Sequence, residues 1–196
     1  MTKRREANTL IELIKKQNHP CKVIEIGVWK STNIKRLLRG YGSHISELWG
    51  IDTFEVGIPS SSRRENRQNA KFWEERYLHA CRLMRYFPQL HIVKTISLKA
   101  SQLFEEEYFD LVFIDAGHQY QSVKEDIAAW LPLVKGDGLI SGHDYGARHY
   151  PDVKKIVDEI FGDKATAIDG VWFIEKSEIV EEMYDKLKNL TINRGE

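Results

Sequence analysis

The chain has 196 residues, 42% of them hydrophobic, which is enough for one domain to bury a core without disulfides or structural metals. Lys plus Arg and Asp plus Glu both number 29, so no net field attracts nucleic acid or an anionic membrane. No apolar run approaches the length of a membrane span, and the two cysteines follow no metal-binding spacing. We therefore expect one cytoplasmic domain over residues 1–196, with reduced thiols and no nucleic-acid or membrane partner.

Strands and helices alternate along the first half of the chain. Helices show apolar residues at helical spacing, whereas strands are short apolar runs that end at glycine or polar residues. The predicted elements are a helix over 6–17, a strand over 22–26, a helix over 33–40, a strand ending at Asp52, a helix from Ala70 to Pro88 and a strand over 91–97. The polar segment 53–69 is a long loop, and such loops in compact domains usually carry function.

The second half continues this alternation and then ends in a hairpin. The run LVFI at 111–114 is typical of a parallel strand covered on both faces. It is followed by a helix with a predicted capping box of Ser122 and Glu125. The turn KGDG and a strand over 139–142 come next, and a further helix begins at about residue 151. Two strands then flank Asp169-Gly170, a type I′ turn sequence, before a helix from Ser177. The fold class is therefore α/β: a Rossmann-like, doubly wound, mostly parallel seven-stranded sheet with a terminal antiparallel strand.

Polar residues follow four of the predicted strands, at the edge of the sheet where open α/β folds bind ligands. They are Glu25 with Gly27, Asp52, Asp115 with His118, and His143 with Asp144. Gly27 permits a sharp turn and a close approach of backbone to ligand. Asp52 is placed to accept hydrogen bonds from a ribose diol, although it could instead only cap the following loop. The pattern predicts a nucleoside pocket.

Longer motifs narrow the class of ligand. The stretch EIGVWKS lacks the glycines of GxGxxG, which disfavours NAD. VIEIGVWKST, GIDTF and FDLVFIDAGHQY resemble motifs of class I S-adenosylmethionine-dependent methyltransferases, over roughly residues 20–176. The linked pattern FIDAGHQYQSVKEDIAAWLPLVKGDGLISGHDY is similar to metal-dependent O-methyltransferases that act on macrolide sugars and related natural products. The resemblance implies S-adenosylmethionine as cofactor and a small-molecule or sugar hydroxyl as acceptor.

The resemblance also implies roles for individual residues. Cofactor contacts fall on Glu25, Gly27, Asp52 and Asp115, and Ser97 follows the third strand within reach of the adenine. A magnesium or manganese ion falls on Asp115, His143 and Asp144, and the general base on His118. The chain departs from the group at Ser31, where a glycine is usual, and at His143, where an acid is usual. Since Mg²⁺ prefers oxygen ligands, a histidine favours manganese, iron or zinc.

Several alternatives stay open at this point. Asp115 and Asp144 could bind substrate or stabilise turns without a metal, and His118 could be a packing residue. Glu25 could pair with Lys22 or Lys30. The fold could instead bind a different nucleotide, as in an oxidoreductase, or be a non-catalytic binding module. A homo-oligomer is compatible with each of these readings.

Overall fold

The computed structural model describes residues 3–55 and 68–189, so most of the predicted loop 53–69 lies outside the described residues. The helices are α1 (Lys3–Lys16), α2 (Thr32–Tyr41), α3 (Ala70–Met84), α4 (Ser97–Ala100), α5 (Tyr120–Trp130), α6 (Pro151–Phe161) and α7 (Glu181–Asn189). The strands are β1 (Cys21–Ile26), β2 (Ile45–Asp52), β3 (Leu90–Lys94), β4 (Phe109–Ile114), β5 (Val134–Gly142), β6 (Thr166–Ile168) and β7 (Val171–Glu175).

The strands form one seven-stranded sheet in the order β3-β2-β1-β4-β5-β7-β6. Pairing is parallel from β3 to β5, and β7 runs antiparallel to both of its neighbours. The predicted Rossmann-like fold is therefore confirmed. The chain order reverses between β1 and β4, and such a reversal opens a crevice at the carboxyl ends of the two strands.

Helices cover both faces of the sheet and produce two apolar layers. Strand β4 is buried along its whole length, and its side chains alternate between the layers, with Val112 in one and Leu111 and Phe113 in the other. Trp130 of α5 lies in the first layer, and Leu10 of α1 lies in the second. This two-sided burial explains why the strand reads as a continuous apolar run.

The start of α5 differs from the sequence prediction. The helix begins at Tyr120, so Ser122 and Glu125 lie inside it and the predicted capping box is wrong. Glu125 accepts a hydrogen bond from the Gln121 side chain at 2.9 Å. The backbone amide of Tyr120 donates to Asp152 of α6 at 3.2 Å, so a carboxylate from another helix caps this end. A partner distant in sequence has replaced the local motif.

Two strand boundaries also differ from the prediction. Strand β3 ends at Lys94, and Ser97 begins the short helix α4 instead of ending the strand. Strand β5 begins at Val134 and includes the KGDG segment that was predicted as a turn, with a register irregularity against β4. The predicted hairpin is present, since Asp169 and Gly170 both have positive φ. Among the helices of the described ranges, none combines the length and apolar character needed to span a bilayer.

Gly142 provides a test of the β5–β7 packing. It pairs with Trp172, and a Cβ at this position would lie 2.6 Å from Trp172 Nε1. Gly142→Ala should therefore lower the free energy of unfolding by about 1–3 kcal/mol, measured by urea denaturation. As the matched control, Gly40→Ala in α2 should raise it by about 0.5–1 kcal/mol, because its Cβ would meet only Ile11 Cδ1 at 3.5 Å. Equal effects in the two variants would contradict this packing.

Candidate active site

Gly27 lies where β1 leaves the sheet and touches the end of β4. Its φ is +98°, and a Cβ added there would lie 2.1 Å from the Asp115 carbonyl oxygen. Its amide donates to Ile51 O at 2.8 Å, while the Asp115 amide donates to Ile26 O at 2.7 Å. Only glycine fits both the backbone angle and the contact. The ends of β1, β2 and β4 are thus tied together at this point.

A cavity of about 210 Å³ opens beside this junction. It is lined by residues from the ends of the first four strands and from the beginnings of α4 and α5. Four of the sequence-predicted cofactor residues are among them: Gly27, Asp52, Ser97 and Asp115. The crevice predicted at the carboxyl edge therefore exists, and its walls carry both apolar surface and hydrogen-bonding groups.

Asp52 is held at the cavity by backbone amides on either side. Its Oδ2 accepts from Trp29 N at 2.7 Å, and its Oδ1 accepts from Phe54 N at 2.8 Å. Trp29 and Phe54 both have positive φ, an uncommon conformation for large residues. A carboxylate oxygen can accept more than one hydrogen bond, so an oxygen held by a backbone amide can also accept from a ligand hydroxyl. The turns at Trp29 and Phe54 therefore hold the Asp52 carboxylate in a fixed orientation.

Glu25 lies behind the cavity and is not among the described residues that line it. Its side chain is 3% exposed, and its Oε1 accepts from Asn33 Nδ2 at 2.9 Å. The same amide group donates to Glu6 Oε1 at 2.5 Å, which ties α1 and α2 to β1. Lys22, one of the suggested partners of Glu25, pairs with Glu47 at 3.4 Å. The predicted contact between Glu25 and cofactor therefore remains a prediction.

A cluster of acids and imidazoles lies on the other side of Asp115. His143 Nδ1 is 3.5 Å from Asp115 Oδ1 and 3.3 Å from Asp144 Oδ1. Its Nε2 is 3.5 Å from Glu6 Oε2, and His118 Nε2 is 2.8 Å from Asp144 Oδ2. The structure thus brings together all four residues predicted for metal binding and catalysis, and adds Glu6 from α1.

The opposite charges of the cluster stabilise one another although the groups are largely buried. Burial alone would lower the pKa of His143, but hydrogen bonds to Asp115 and Asp144 and the charge of Glu6 raise it to about 10. Burial likewise opposes the charge of Asp144, yet His118 and His143 hold the pKa of this carboxyl well below its usual range. His143 is therefore an imidazolium at neutral pH, and it is a cation among three carboxylates.

The donor atoms of the cluster form two groups that could hold a divalent cation. Asp115, His118 and Asp144 each offer one ligand atom within 4.8 Å of the others, and Glu6, Asp115 and His143 form a second such group. Two carboxylates with one imidazole suit Mn²⁺, Fe²⁺ or Zn²⁺ better than Mg²⁺. His143 would have to lose its proton to bind a metal, so a proton and a divalent cation compete at this cluster.

His118 is fixed in orientation by an aromatic neighbour. Its ring stacks on Tyr150, with centroids 3.9 Å apart and an interplanar angle of 19°. Its Nδ1 is buried and finds no hydrogen-bond partner among residues 5–55 and 68–188. Nε2 lies 2.8 Å from the Asp144 carboxylate and donates its N–H to it, so the lone pair of the neutral ring lies on Nδ1.

Sequence reasoning missed Glu6 and Asp126, although both leave a signal. Glu6 lies one turn before Leu10 on the apolar face of α1. Asp126 lies one turn before Trp130 on the apolar face of α5, and it lines the cavity. A charged residue inside an apolar stripe is seldom buried without a specific partner. The pattern could therefore have identified both positions, but not their partners.

A family model described as a methyltransferase domain matches residues 24–145, well over half of the chain. The chain belongs to this methyltransferase family. No curated protein gave a match by sequence. The prediction of a class I S-adenosylmethionine-dependent methyltransferase is confirmed.

Solved structures share the fold of this methyltransferase at low sequence identity. A Corynebacterium glutamicum protein is 16% identical with a TM-score of 0.65, covering 92% of this chain and 83% of its own. The O-methyltransferase NovP is 18% identical with a TM-score of 0.64, covering 88% and 79%. CalS11, a calicheamicin methyltransferase, is 13% identical with a TM-score of 0.62, covering 88% and 77%.

The raised pKa of His143 predicts a pH-dependent contribution to stability. An imidazole whose folded pKa rises from 6.5 to about 10 stabilises the fold fully below about pH 6.5, and this contribution is lost as the pH rises through about 10. His143→Gln should therefore lower the free energy of unfolding by about 1–3 kcal/mol near pH 6, and by progressively less toward pH 10. Denaturant unfolding over this range measures the difference.

His149→Gln is the control for this measurement, because His149 is an exposed imidazole on the same segment of chain. It reports any general effect of replacing histidine by glutamine. A difference between wild type and His143→Gln that stays constant from pH 6 to pH 10 would show that His143 is not held as a cation.

Proposed function

We propose that the methyltransferase transfers a methyl group to a hydroxyl of a small molecule or sugar, with His118 as the base. The position of Asp115 carries the proposal: it lines the cofactor cavity and also belongs to the acid–imidazole cluster. A hydroxyl is a weak nucleophile until its proton is removed, so an oxygen acceptor requires such a cluster beside the cofactor. Related folds described as the O-methyltransferase NovP and a TDP-rhamnose 3′-O-methyltransferase support an oxygen acceptor.

The cavity walls fit S-adenosylmethionine at several points. Asp52 presents two oriented oxygens for the ribose hydroxyls, and the absence of a side chain at Gly27 permits close approach of the ligand. Ser97 lines the cavity at the start of α4. The cofactor supplies an electrophilic methyl group on a sulfonium. Holding it in one orientation provides much of the rate enhancement in a displacement of this kind.

His118, assisted by Asp144, would remove the proton from the hydroxyl of the methyl acceptor. Nδ1 would take it, because Nε2 already donates its N–H to Asp144, and the ring is held by its stack on Tyr150. Asp144, 2.8 Å from Nε2, would stabilise the protonated ring. Asp144 is itself held in a left-handed turn after β5, with φ +59°. The base is therefore positioned by packing and by charge.

A divalent cation is the second part of this proposal. Asp115 and Asp144 would hold it, and it would lower the pKa of a bound hydroxyl. His118 belongs to the same group of potential ligands, so its ring either binds the ion or accepts the proton. The two roles are separated by the experiments that follow.

His118→Ala tests the base. Turnover of a hydroxyl acceptor should fall about 100-fold or more while S-adenosylmethionine affinity is retained, because His118 is not among the described residues lining the cofactor cavity. The acidic limb of the pH–rate profile, which proton uptake by the base creates, should disappear. Steady-state kinetics with labelled cofactor and calorimetric titration of S-adenosylhomocysteine measure the two effects.

His149→Ala, at the exposed histidine, should leave turnover and profile as in wild type. The Mn²⁺ affinity of His118→Ala distinguishes the two roles of the ring. An unchanged affinity with a lost acidic limb supports the base, whereas a parallel loss of Mn²⁺ affinity and turnover assigns His118 as a metal ligand. Wild-type turnover in the variant would remove it from the chemistry.

Removal of metal tests the ion itself. Exhaustive chelation should lower activity, Mn²⁺ or Mg²⁺ should restore it, and Mn²⁺ should bind with a signal visible by electron paramagnetic resonance. Asp144→Asn should abolish Mn²⁺ binding and the metal response while S-adenosylhomocysteine still binds. Asp137→Asn, which alters an exposed carboxylate in β5, is the matched control. Full activity after chelation would leave the imidazolium of His143 as the cation of the site.

A further inference from the structure

One wall of the cofactor cavity contains a buried acid that the reaction described above does not use. Asp126 belongs to α5, is 5% exposed and lines the cavity near the start of α4. Within the part of the chain that the structure describes, Ser97 is the only hydrogen-bond partner of its carboxylate. A buried carboxylate with one neutral partner is costly, so the fold retains here an acceptor that it does not satisfy itself.

A short chain of hydrogen bonds determines which oxygen of Asp126 is already an acceptor within the fold. Trp130 Nε1 donates to Ser97 Oγ at 2.8 Å, and Ser97 Oγ donates to Asp126 Oδ1 at 2.5 Å. Since an indole N–H can only donate, the serine proton is directed to Asp126. Oδ1 is thereby occupied and oriented, and the second oxygen of Asp126 is an acceptor without a donor from the described residues.

An apolar shelf lies beside this acceptor. Ile96 and Leu98 flank Ser97, line the cavity and are 44% and 39% exposed, respectively. They are large aliphatic side chains left open beside a buried acid. A flat heteroaromatic ring with an edge N–H group would cover the shelf and complete the hydrogen bonding of Asp126.

The rest of the cavity determines which part of the cofactor reaches this wall. Asp52 offers its oxygens to the ribose, and the sulfonium must face Asp115 and the cluster beyond it. The base is attached to the ribose at the carbon opposite the sulfonium arm, so it points away from Asp115. The strand order β3-β2-β1-β4 places the ends of β3 and β4 on opposite sides of Asp52, so this direction leads to Ser97, the shelf and Asp126.

We propose that Asp126 determines base specificity, accepting a hydrogen bond from the exocyclic amino group of adenine while Ser97 holds it in place. The inference rests on the proposed function only in taking Asp52 as the ribose acceptor. A site that hydrogen-bonds an amino group rejects a ligand that presents a carbonyl there, because two acceptors then face each other without a proton.

The ionisation of Asp126 is consistent with this role. Burial raises its pKa to about 7, since the Ser97 hydrogen bond only partly offsets the lost hydration and Glu125 adds a like charge. An amino group at hydrogen-bond distance stabilises the charged form that burial disfavours.

The test compares S-adenosylhomocysteine with S-inosylhomocysteine, in which a 6-oxo group replaces the 6-amino group. Both are titrated calorimetrically at about pH 8.5, where Asp126 is mainly ionised, into the wild-type chain and into Asp126→Asn, Asp126→Ala and Glu125→Gln. The wild type should bind the adenosyl ligand about 10- to 100-fold more tightly than the inosyl ligand. In Asp126→Asn the ratio should fall below about 3-fold or invert, because the amide can donate to the 6-oxo group. Asp126→Ala should also lose most of the preference.

Glu125→Gln is the matched control, since it removes the other carboxylate of the same helix that lines the cavity. It should retain the wild-type ratio. Asparagine is isosteric with aspartate and removes a buried charge, so Asp126→Asn should fold; circular dichroism and thermal unfolding check each variant. A folded Asp126 variant with the wild-type ratio, or loss of the ratio in Glu125→Gln, overturns the proposal.

Wild-type protein alone also bears on the proposal, because a ratio near 1 overturns it without any variant. Failure of the proposed function gives a different result. If O-methylation by the His118 cluster is wrong, the hydroxyl-acceptor experiments fail while the preference for the adenosyl ligand and its dependence on Asp126 persist. If the cavity does not accept the cofactor, neither ligand binds.

Discussion

The contact of Gly27 with the Asp115 backbone is the constraint on which the site depends. With φ +98° and no room for a Cβ, Gly27 allows β1 to turn directly against the end of β4. The cofactor cavity lies on one side of this junction and the acid–imidazole cluster on the other, and Asp115 belongs to both. A wider separation of the two strands would part the methyl donor from the groups that activate its acceptor.

Charge balance decides how the cluster can exist inside the fold. Asp115, Asp144 and Glu6 surround His143, and their hydrogen bonds and charges outweigh the burial that would otherwise discharge the ring. The first helix therefore contributes to the site as well as to the core, since Glu6 approaches His143 and also accepts from Asn33. An imidazolium can hold strand-end carboxylates together, which is also the task of a metal ion.

The cavity is supported from behind by polar groups buried in apolar layers. Glu25 accepts a hydrogen bond from Asn33, and Asp126 accepts one from Ser97. Ser97 in turn accepts a hydrogen bond from Trp130. Each carboxylate lowers stability by its loss of hydration, and the two large apolar layers compensate for this. In return the acceptors around the cofactor are oriented before it binds, which limits the reorganisation needed on binding.

The sequence alone determined the strand–helix order, the buried strand β4, the Asp169-Gly170 hairpin and the clustering of strand-end residues at one edge. These features follow from local periodicity and turn chemistry, which are written in neighbouring residues. Only the tertiary structure decided that Asp152 caps α5, that Glu25 does not line the cavity and that Glu6 approaches His143. Burial, hydrogen-bond partners and pKa values arise between segments far apart in the chain, and no local pattern specifies which segments will meet.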